Sequence, residues 1–287
     1  MPRDTNDADI SHRSWSILNL PALQRTGQVR EKKMNILQAI DVSVTFESFG
    51  QQIKAVDRVS FELPKGKTVG IVGESGSGKS TFARVLSGLQ IPSSGSVTYL
   101  DQPIQSGKQT YQGALRKEVQ MVFQDPYGSL NPRMRIVKAI AEAITQHQAM
   151  DKKSAIAAAI KLLESMGISG ADLFKYPRSL SGGQRQRASV ARALSAQPAV
   201  LIADEPTSAI DQSAQSQLLG LFNDLIKKGL SIVLVSHDLG VIRYLSDYVY
   251  VMKDGIFVEC GDTEEVFNNP KEEYTKKLIS SIPGRAL

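Results

Sequence analysis

Nine consecutive residues, Gly73-Glu74-Ser75-Gly76-Ser77-Gly78-Lys79-Ser80-Thr81, restrict the fold of this 287-residue chain more than any other feature. They fit the spacing G-x-x-x-x-G-K-[ST]. The short apolar run Thr68 to Val72 precedes them and a helically spaced run, Thr81 to Leu89, follows. Three glycines let the backbone curl until its N–H groups converge on phosphate oxygens, and the next helix adds the positive end of its dipole. Lys79 supplies a cation for β- and γ-phosphates, and the Ser80 hydroxyl is a ligand for Mg2+. Such a loop sits between a buried strand and a helix, so an α/β domain is expected.

Strand-length runs recur on both sides of it. Ile36 to Phe46 and Val56 to Leu63 alternate, and Pro64-Lys65-Gly66 reads as a turn. Val97 to Leu100, Val119 to Phe123, Val200 to Ala203, Ile232 to Val235 and Val249 to Met252 read as further strands. Helical segments between the later strands are what a parallel sheet requires. From about residue 130 to 170 the chain is helix-rich, with Ile136, Ile140, Ile144, Ile156, Ile160 and Leu163 at helical spacing and Gly167 ending the run. No internal repeat and no low-complexity stretch is visible.

A phosphate loop needs an acidic companion. Val200-Leu201-Ile202-Ala203-Asp204-Glu205 is an apolar strand ending in two carboxylates. Asp204 is expected to hold Mg2+ through water, and Glu205 to act as general base on the attacking water. Leu180-Ser181-Gly182-Gly183-Gln184-Arg185-Gln186-Arg187 precedes the helical run Ala188 to Ser195. Ser181, Gly182 and Gly183 make a second anion site at a helix N-terminus, or a plain glycine-rich cap. One nucleotide does not need two cradles so far apart in sequence, so the second is expected to serve a nucleotide held by another subunit.

At these residues the chain resembles the ATP-binding cassette of ABC transporters, from about Ile36 to Ile282. The resemblance implies a P-loop α/β core of RecA-like type, an N-terminal antiparallel β subdomain and a helical subdomain. It implies ATP with Mg2+ as ligands. Gln124 matches the family's Q-loop, which contacts Mg2+ or the attacking water. Ser208-Ala209-Ile210-Asp211 resembles the D-loop, with Ile where Leu is usual, and His237 matches the switch histidine at the γ-phosphate. For the adenine-stacking aromatic, Phe46 fits best and Phe49 is the runner-up; either could instead be core. His12 and His147 match nothing.

Asp125-Pro126-Tyr127-Gly128-Ser129-Leu130-Asn131-Pro132-Arg133, Glu264-Glu265-Val266-Phe267-Asn268-Asn269-Pro270, Tyr274-Thr275-Lys276 and Ser281-Ile282-Pro283 are similar to the oligopeptide/dipeptide/nickel import group. That group implies a peripheral subunit on the cytoplasmic face of the inner membrane. Its partners would be two transmembrane permease subunits, a second ATPase subunit (itself or a paralogue) in a head-to-tail dimer and, indirectly, an extracytoplasmic solute-binding protein. Some members carry a cysteine cluster near the C-terminus; Cys260 is the single cysteine here, so no iron–sulfur site is expected and no intrachain disulfide is possible. An exporter ATPase is the alternative within transport. An ATPase of DNA repair or chromosome organisation is the alternative outside it, although no sustained heptads interrupt the cassette.

Composition agrees. With 41% hydrophobic and 22% charged residues the chain is globular, and no run reaches the ~18 apolar residues of a membrane span. The net charge of +5 is spread along the chain, which reads as a solvated surface, and no nucleic acid is expected. Residues 1–33 are polar and aperiodic around Trp15, Ile17 and Leu18, with no secretory signal. They read as a tail or upstream extension of a cassette spanning 34–287, with its helical insert at about 125–190.

Overall fold

Alternating apolar residues sort to two faces of a central sheet. In the computed structural model, which describes residues 34–48, 50–106, 109–110, 115–208 and 210–281, each face carries its own core. Two long strands, β1 (Asn35–Ser48) and β2 (Gln51–Pro64), form an antiparallel hairpin. The buried strand β3 (Thr68–Val72) then enters the phosphate loop, and α1 (Lys79–Leu86) leaves it. β4 (Ser94–Tyr99) returns to β1, and β5 (Gln102–Pro103) pairs with β4, giving a sheet of order β2-β1-β4-β5. A small pair, β6 (Gln105–Ser106) and β7 (Gln109–Thr110), and α2 (Leu115–Glu118) lead into β8 (Val119–Val122).

A helical section follows: α3 (Pro126–Ser129), α4 (Ile136–His147), α5 (Lys152–Ser165), two 3-10 turns and α6 (Gly182–Leu194). The chain then alternates through β9 (Val200–Asp204), α7 (Gln212–Lys227), β10 (Ser231–Val235), α8 (Leu239–Leu245) and β11 (Tyr248–Lys253). It ends with β12 (Ile256–Asp262), α9 (Thr263–Asn268) and α10 (Glu273–Ser280). The central sheet has the order β12-β11-β3-β10-β9-β8, parallel except for the edge strand β12.

Period 2 decides which core each strand residue joins. Val200 and Ile202, Val233 and Val235, and Tyr250 and Met252 face the antiparallel sheet and α1. Leu201 and Ala203, Ile232 and Leu234, and Val249 and Val251 face the helices. Both faces are covered, which explains why these strands read as continuous apolar runs. On the first face Phe82 of α1 stands edge-on to Phe61 at 5.7 Å and to Phe257 at 5.4 Å. Each such pair adds about 0.5–1.5 kcal/mol beyond area burial, and together they pin the helix that follows the phosphate loop.

The structure revises several boundaries. β2 begins at Gln51, earlier than its apolar part, because the polar stretch Gln51 to Ala55 pairs with the outer end of β1. α1 starts at Lys79 and stops at Leu86, so Leu89 lies beyond it. In α5 the buried face is Ala155, Ala159, Leu162 and Leu163, while Ile156 is exposed; small residues let α5 approach α4 closely. β12, absent from the sequence reading, follows the two-residue turn Asp254-Gly255, where both φ angles are positive (47° and 81°), as a tight hairpin requires. Residues 1–33, Phe49, Ala209, Ile282 and Pro283 lie outside the described residues. Among the described residues no helix is long and apolar enough to cross a membrane.

Gly70, in the middle of β3, lies where α8 packs tightly on the sheet. A Cβ there would lie 2.7 Å from Ile242 Cγ2 and 2.8 Å from Ser246 Oγ, at the end of α8. Gly70→Ala should therefore lower stability by about 1–3 kcal/mol through overpacking. Urea unfolding measures this; a wild-type midpoint would show that the spacing is slack.

Candidate functional site

The carboxyl ends of the parallel strands gather the candidate residues at one edge, where open α/β sheets bind ligands. Gly73 to Gly78 leave β3. Gln124 follows β8, Asp204 ends β9, and His237 follows β10. Two glycines are dictated by close backbone walls. A Cβ on Gly73 (φ +155°) would sit 2.1 Å from the Met252 carbonyl oxygen, and one on Gly78 (φ +105°) would sit 2.2 Å from that of Ala55. Gly78 is also the N-cap of α1 and brings no side chain to the first-turn amides, so these point into the loop.

Lys79 is only 4% exposed. Its ammonium donates to the carbonyls of Gly73 (2.8 Å) and Glu74 (2.7 Å) and lies 3.4 Å from Ser77 Oγ. Burial lowers its pKa, opposed by the charges of Glu205, Asp204 and Glu74. Three donors on three oxygens leave it satisfied, and phosphate oxygens are the acceptors that could replace those carbonyls.

Across the intervening strand β10, Ser80 Oγ donates to Asp204 Oδ1 at 3.0 Å. Next to it, Glu205 has both carboxylate oxygens engaged: Gln124 Nε2 donates to Oε2 at 3.0 Å, and His237 Nδ1 lies 3.2 Å from Oε1. Its backbone is in the left-handed region (φ +45°), held by Glu205 N donating to the Val235 carbonyl at 2.8 Å. A non-glycine residue there costs of order 1–3 kcal/mol and persists only when its surroundings fix it.

The remaining candidates lie elsewhere. Ser181 caps α6 in a reciprocal box: Gln184 N donates to Ser181 Oγ (3.2 Å) and Ser181 N donates to Gln184 Oε1 (3.1 Å). Gln184 Nε2 also donates to Asp172 at 2.6 Å. Among the described residues no hydrogen bond joins Ser181–Gln184 to Gly73–Thr81. Gly182 opens α6, and a Cβ on Gly183 would lie 2.4 Å from Ala214 Cβ in α7, whose N-cap Asp211 accepts from the Ala214 amide. Asp211 thus sits beside the start of α6. Phe46 is exposed near the end of the β1–β2 hairpin, opposite Ile53.

Three loop contacts escaped the sequence reading. Gly255 N donates to the Ser77 carbonyl at 3.0 Å, Met252 supplies a wall, and Glu74 N donates to Tyr274 Oη at 3.0 Å. All come from the last strands and helix, far off in sequence; only the Asp254-Gly255 turn signalled that the chain doubles back there.

Burial raises the pKa of Asp204 above its ordinary 3.8; the Ser80 hydrogen bond opposes this, the Glu205 charge adds to it, and Arg84 and Lys79 oppose it. A carboxyl raised on folding keeps a proton that the unfolded chain has lost. That contribution to stability is present at acid pH and is lost as pH rises from 3.8 through the folded value. Asp204→Asn should remove the loss. In nucleotide-free protein with EDTA, the variant should be the more stable at about pH 7, with the gap closing below about pH 4. Urea midpoints across that range check it; a wild type more stable than the variant at neutral pH would contradict it.

The family model described as "ABC transporter" matches residues 56–208. The oligopeptide transport ATP-binding protein OppD of Mycobacterium bovis is 45% identical over 233 residues, 81% of this chain, although the chain spans only 38% of that relative. The dipeptide transport ATP-binding protein DppF of Escherichia coli is 40% identical over 255 residues, 86% of this chain and 76% of the relative. Among solved structures, a dimeric ATP-binding cassette in a post-hydrolysis state bound to ADP and Pi superposes with a TM-score of 0.71. It shares 26% identity and covers 79% of this chain and 98% of its own. The family model spans more than half of the chain and the Escherichia coli relative is matched over most of its length: this chain belongs to the ABC transporter family.

Proposed function

We propose that this chain is the ATP-hydrolysing subunit of an importer for peptides, a peripheral protein at the cytoplasmic face of the membrane. The observation that carries the reading is the convergence of Lys79, the Ser80–Asp204 pair and the Gln124–Glu205–His237 chain at one sheet edge. The curated relatives named for oligopeptide and dipeptide transport favour peptides over nickel as cargo.

ATP would lie along Gly73 to Thr81, its phosphates meeting the loop amides and the start of α1. Phe46, exposed on the hairpin whose Ala55 carbonyl abuts Gly78, would stack on the adenine. Lys79 would exchange the carbonyls of Gly73 and Glu74 for β- and γ-phosphate oxygens. Ser80 Oγ and Asp204 Oδ1, 3.0 Å apart, are hard oxygen donors that fit Mg2+, and the Gln124 side-chain carbonyl is a third, since its Nε2 is the atom turned to Glu205. When bound, Mg2+ would neutralise charge on the phosphate oxygens. Glu205 takes the proton of the attacking water. Gln124 and His237 aim its carboxylate, and its fixed backbone holds the aim.

The Ser181-Gly182-Gly183 turn and Gln184 would act on the nucleotide of a second ATPase subunit in a head-to-tail dimer, with Asp211 placing α7 against α6. The helical section between Gln124 and Ser181, part of a single cassette over residues 34–287, would pass closure of the dimer to two permease subunits. A solute-binding protein outside the membrane would deliver the cargo.

Glu205→Gln keeps the side-chain size and removes the base. Turnover should fall at least ~100-fold, the range expected of a general base. With Mg-ATP, light scattering should give twice the monomer mass, and monomer with ADP; a mass that stays monomeric in ATP would sink the homodimer and leave a paralogous partner. In that background, Ser181→Arg should abolish the dimer and leave ATP binding within about twofold; loss of all ATP binding would refute action in trans. In vesicles carrying the permeases, Lys79→Ala should abolish peptide uptake. No ATP-dependent peptide uptake with the wild-type chain would refute the importer reading, and uptake by the variant would refute the role of Lys79.

A further inference from the structure

The peptide unit between Gly73 and Glu74 is held from both edges. Its carbonyl accepts from the Lys79 ammonium at 2.8 Å, and its N–H donates to the hydroxyl of Tyr274 at 3.0 Å. The two groups belong to one rigid plane and point in opposite directions, so fixing one fixes the other. Gly73 has no Cβ to restrict rotation on its side. Nothing else described holds that N–H. We propose that Tyr274 is a positioning residue for the phosphate loop: by gripping the Glu74 amide it sets the first peptide plane of the loop, whose carbonyl holds Lys79 until a phosphate oxygen replaces it.

The grip is itself built. Tyr274 lies in the first turn of α10, and the chain entering that helix is fixed from β12: Lys271 N and Glu272 N donate to the two carboxylate oxygens of Glu259 at 2.8 and 3.1 Å. Thr275 and Ile279 bury the other side of the helix. The Lys253 ammonium lies over the Tyr274 ring at 5.2 Å. Burial raises the pKa of the phenol, so it stays neutral at physiological pH and can accept from the amide. The same strand pair reaches the loop a second time, through Gly255 N to the Ser77 carbonyl. The last segment of the chain therefore holds both halves of the loop.

The inference rests on the ATPase reading for its catalytic consequence but not for its structural test. In nucleotide-free protein, Tyr274→Phe should speed amide hydrogen exchange of the segment 73–79. In steady-state hydrolysis of Mg-ATP it should raise KM about 3- to 10-fold, the value of one hydrogen bond, with kcat within about twofold and folding intact by circular dichroism. Glu259→Gln, which leaves the hydroxyl in place but loosens the entry to α10, should move exchange and KM the same way. Combined with Tyr274→Phe it should add little, because both act through one bond. Wild-type exchange at 73–79 in Tyr274→Phe would overturn the proposal whatever the turnover. So would a fall in kcat at unchanged KM. Fast exchange in the variant, with no ATP turnover by the wild type, would keep the positioning contact and reject the catalytic reading.

Discussion

The double-sided burial of four parallel strands is the constraint on which the site depends. The apolar side chains of β3, β10, β9 and β11 are each committed to one core or the other, so a slip of one position would turn them to the wrong face. With the register locked, the strand ends are locked too. The Ser80 hydroxyl meets the Asp204 carboxylate at 3.0 Å because β3 and β9 are both fixed against β10. The candidate groups stand at the end of β9, just beyond β8, β9 and β10, or in the first turn of α1, so their placement follows that of the strands.

Charge in the site is balanced by short-range contacts. Asp204 and Glu205 are adjacent carboxylates at the end of a buried strand, and each has its own partners: Ser80 for one, Gln124 and His237 for the other. The nearby buried cation, Lys79, is satisfied by neutral backbone oxygens. Each ionic group therefore has polar contacts that a phosphate, a cation or a water molecule could replace one for one. Such exchange avoids the large penalty of stripping a buried charge with nothing in return.

Much of this was legible in sequence, for identifiable reasons. The phosphate loop, the strand ending in Asp204-Glu205 and the cap at Ser181 announce themselves because their chemistry is local: glycine spacing, an apolar run, and a serine three residues before a glutamine. β12 was not legible, because as an edge strand it is half exposed and lacks apolar alternation. The face of α5 was misjudged because isoleucine outweighs alanine in a hydrophobic pattern, whereas close helix packing favours alanine. Tyr274 was visible only as part of a family-like segment. Its contact with Glu74 spans 200 positions, a pairing that periodicity cannot encode.

The walls of the phosphate loop are main-chain carbonyls, those of Ala55 and Met252. Every residue type carries the same carbonyl, so the nearest walls facing the two glycines are set by where two strands run, with Ser77 Oγ and Met252 Cε the side-chain atoms next in line. Glycine at 73 and 78 is the exacting half of the fit, and the facing half comes with the fold. A substitution at Ala55 or Met252 that leaves the strands in register therefore leaves these two oxygens where they are. A single methyl group on either glycine has no room to be accommodated, because the facing oxygen would lie 2.1 Å away at position 73 and 2.2 Å away at position 78.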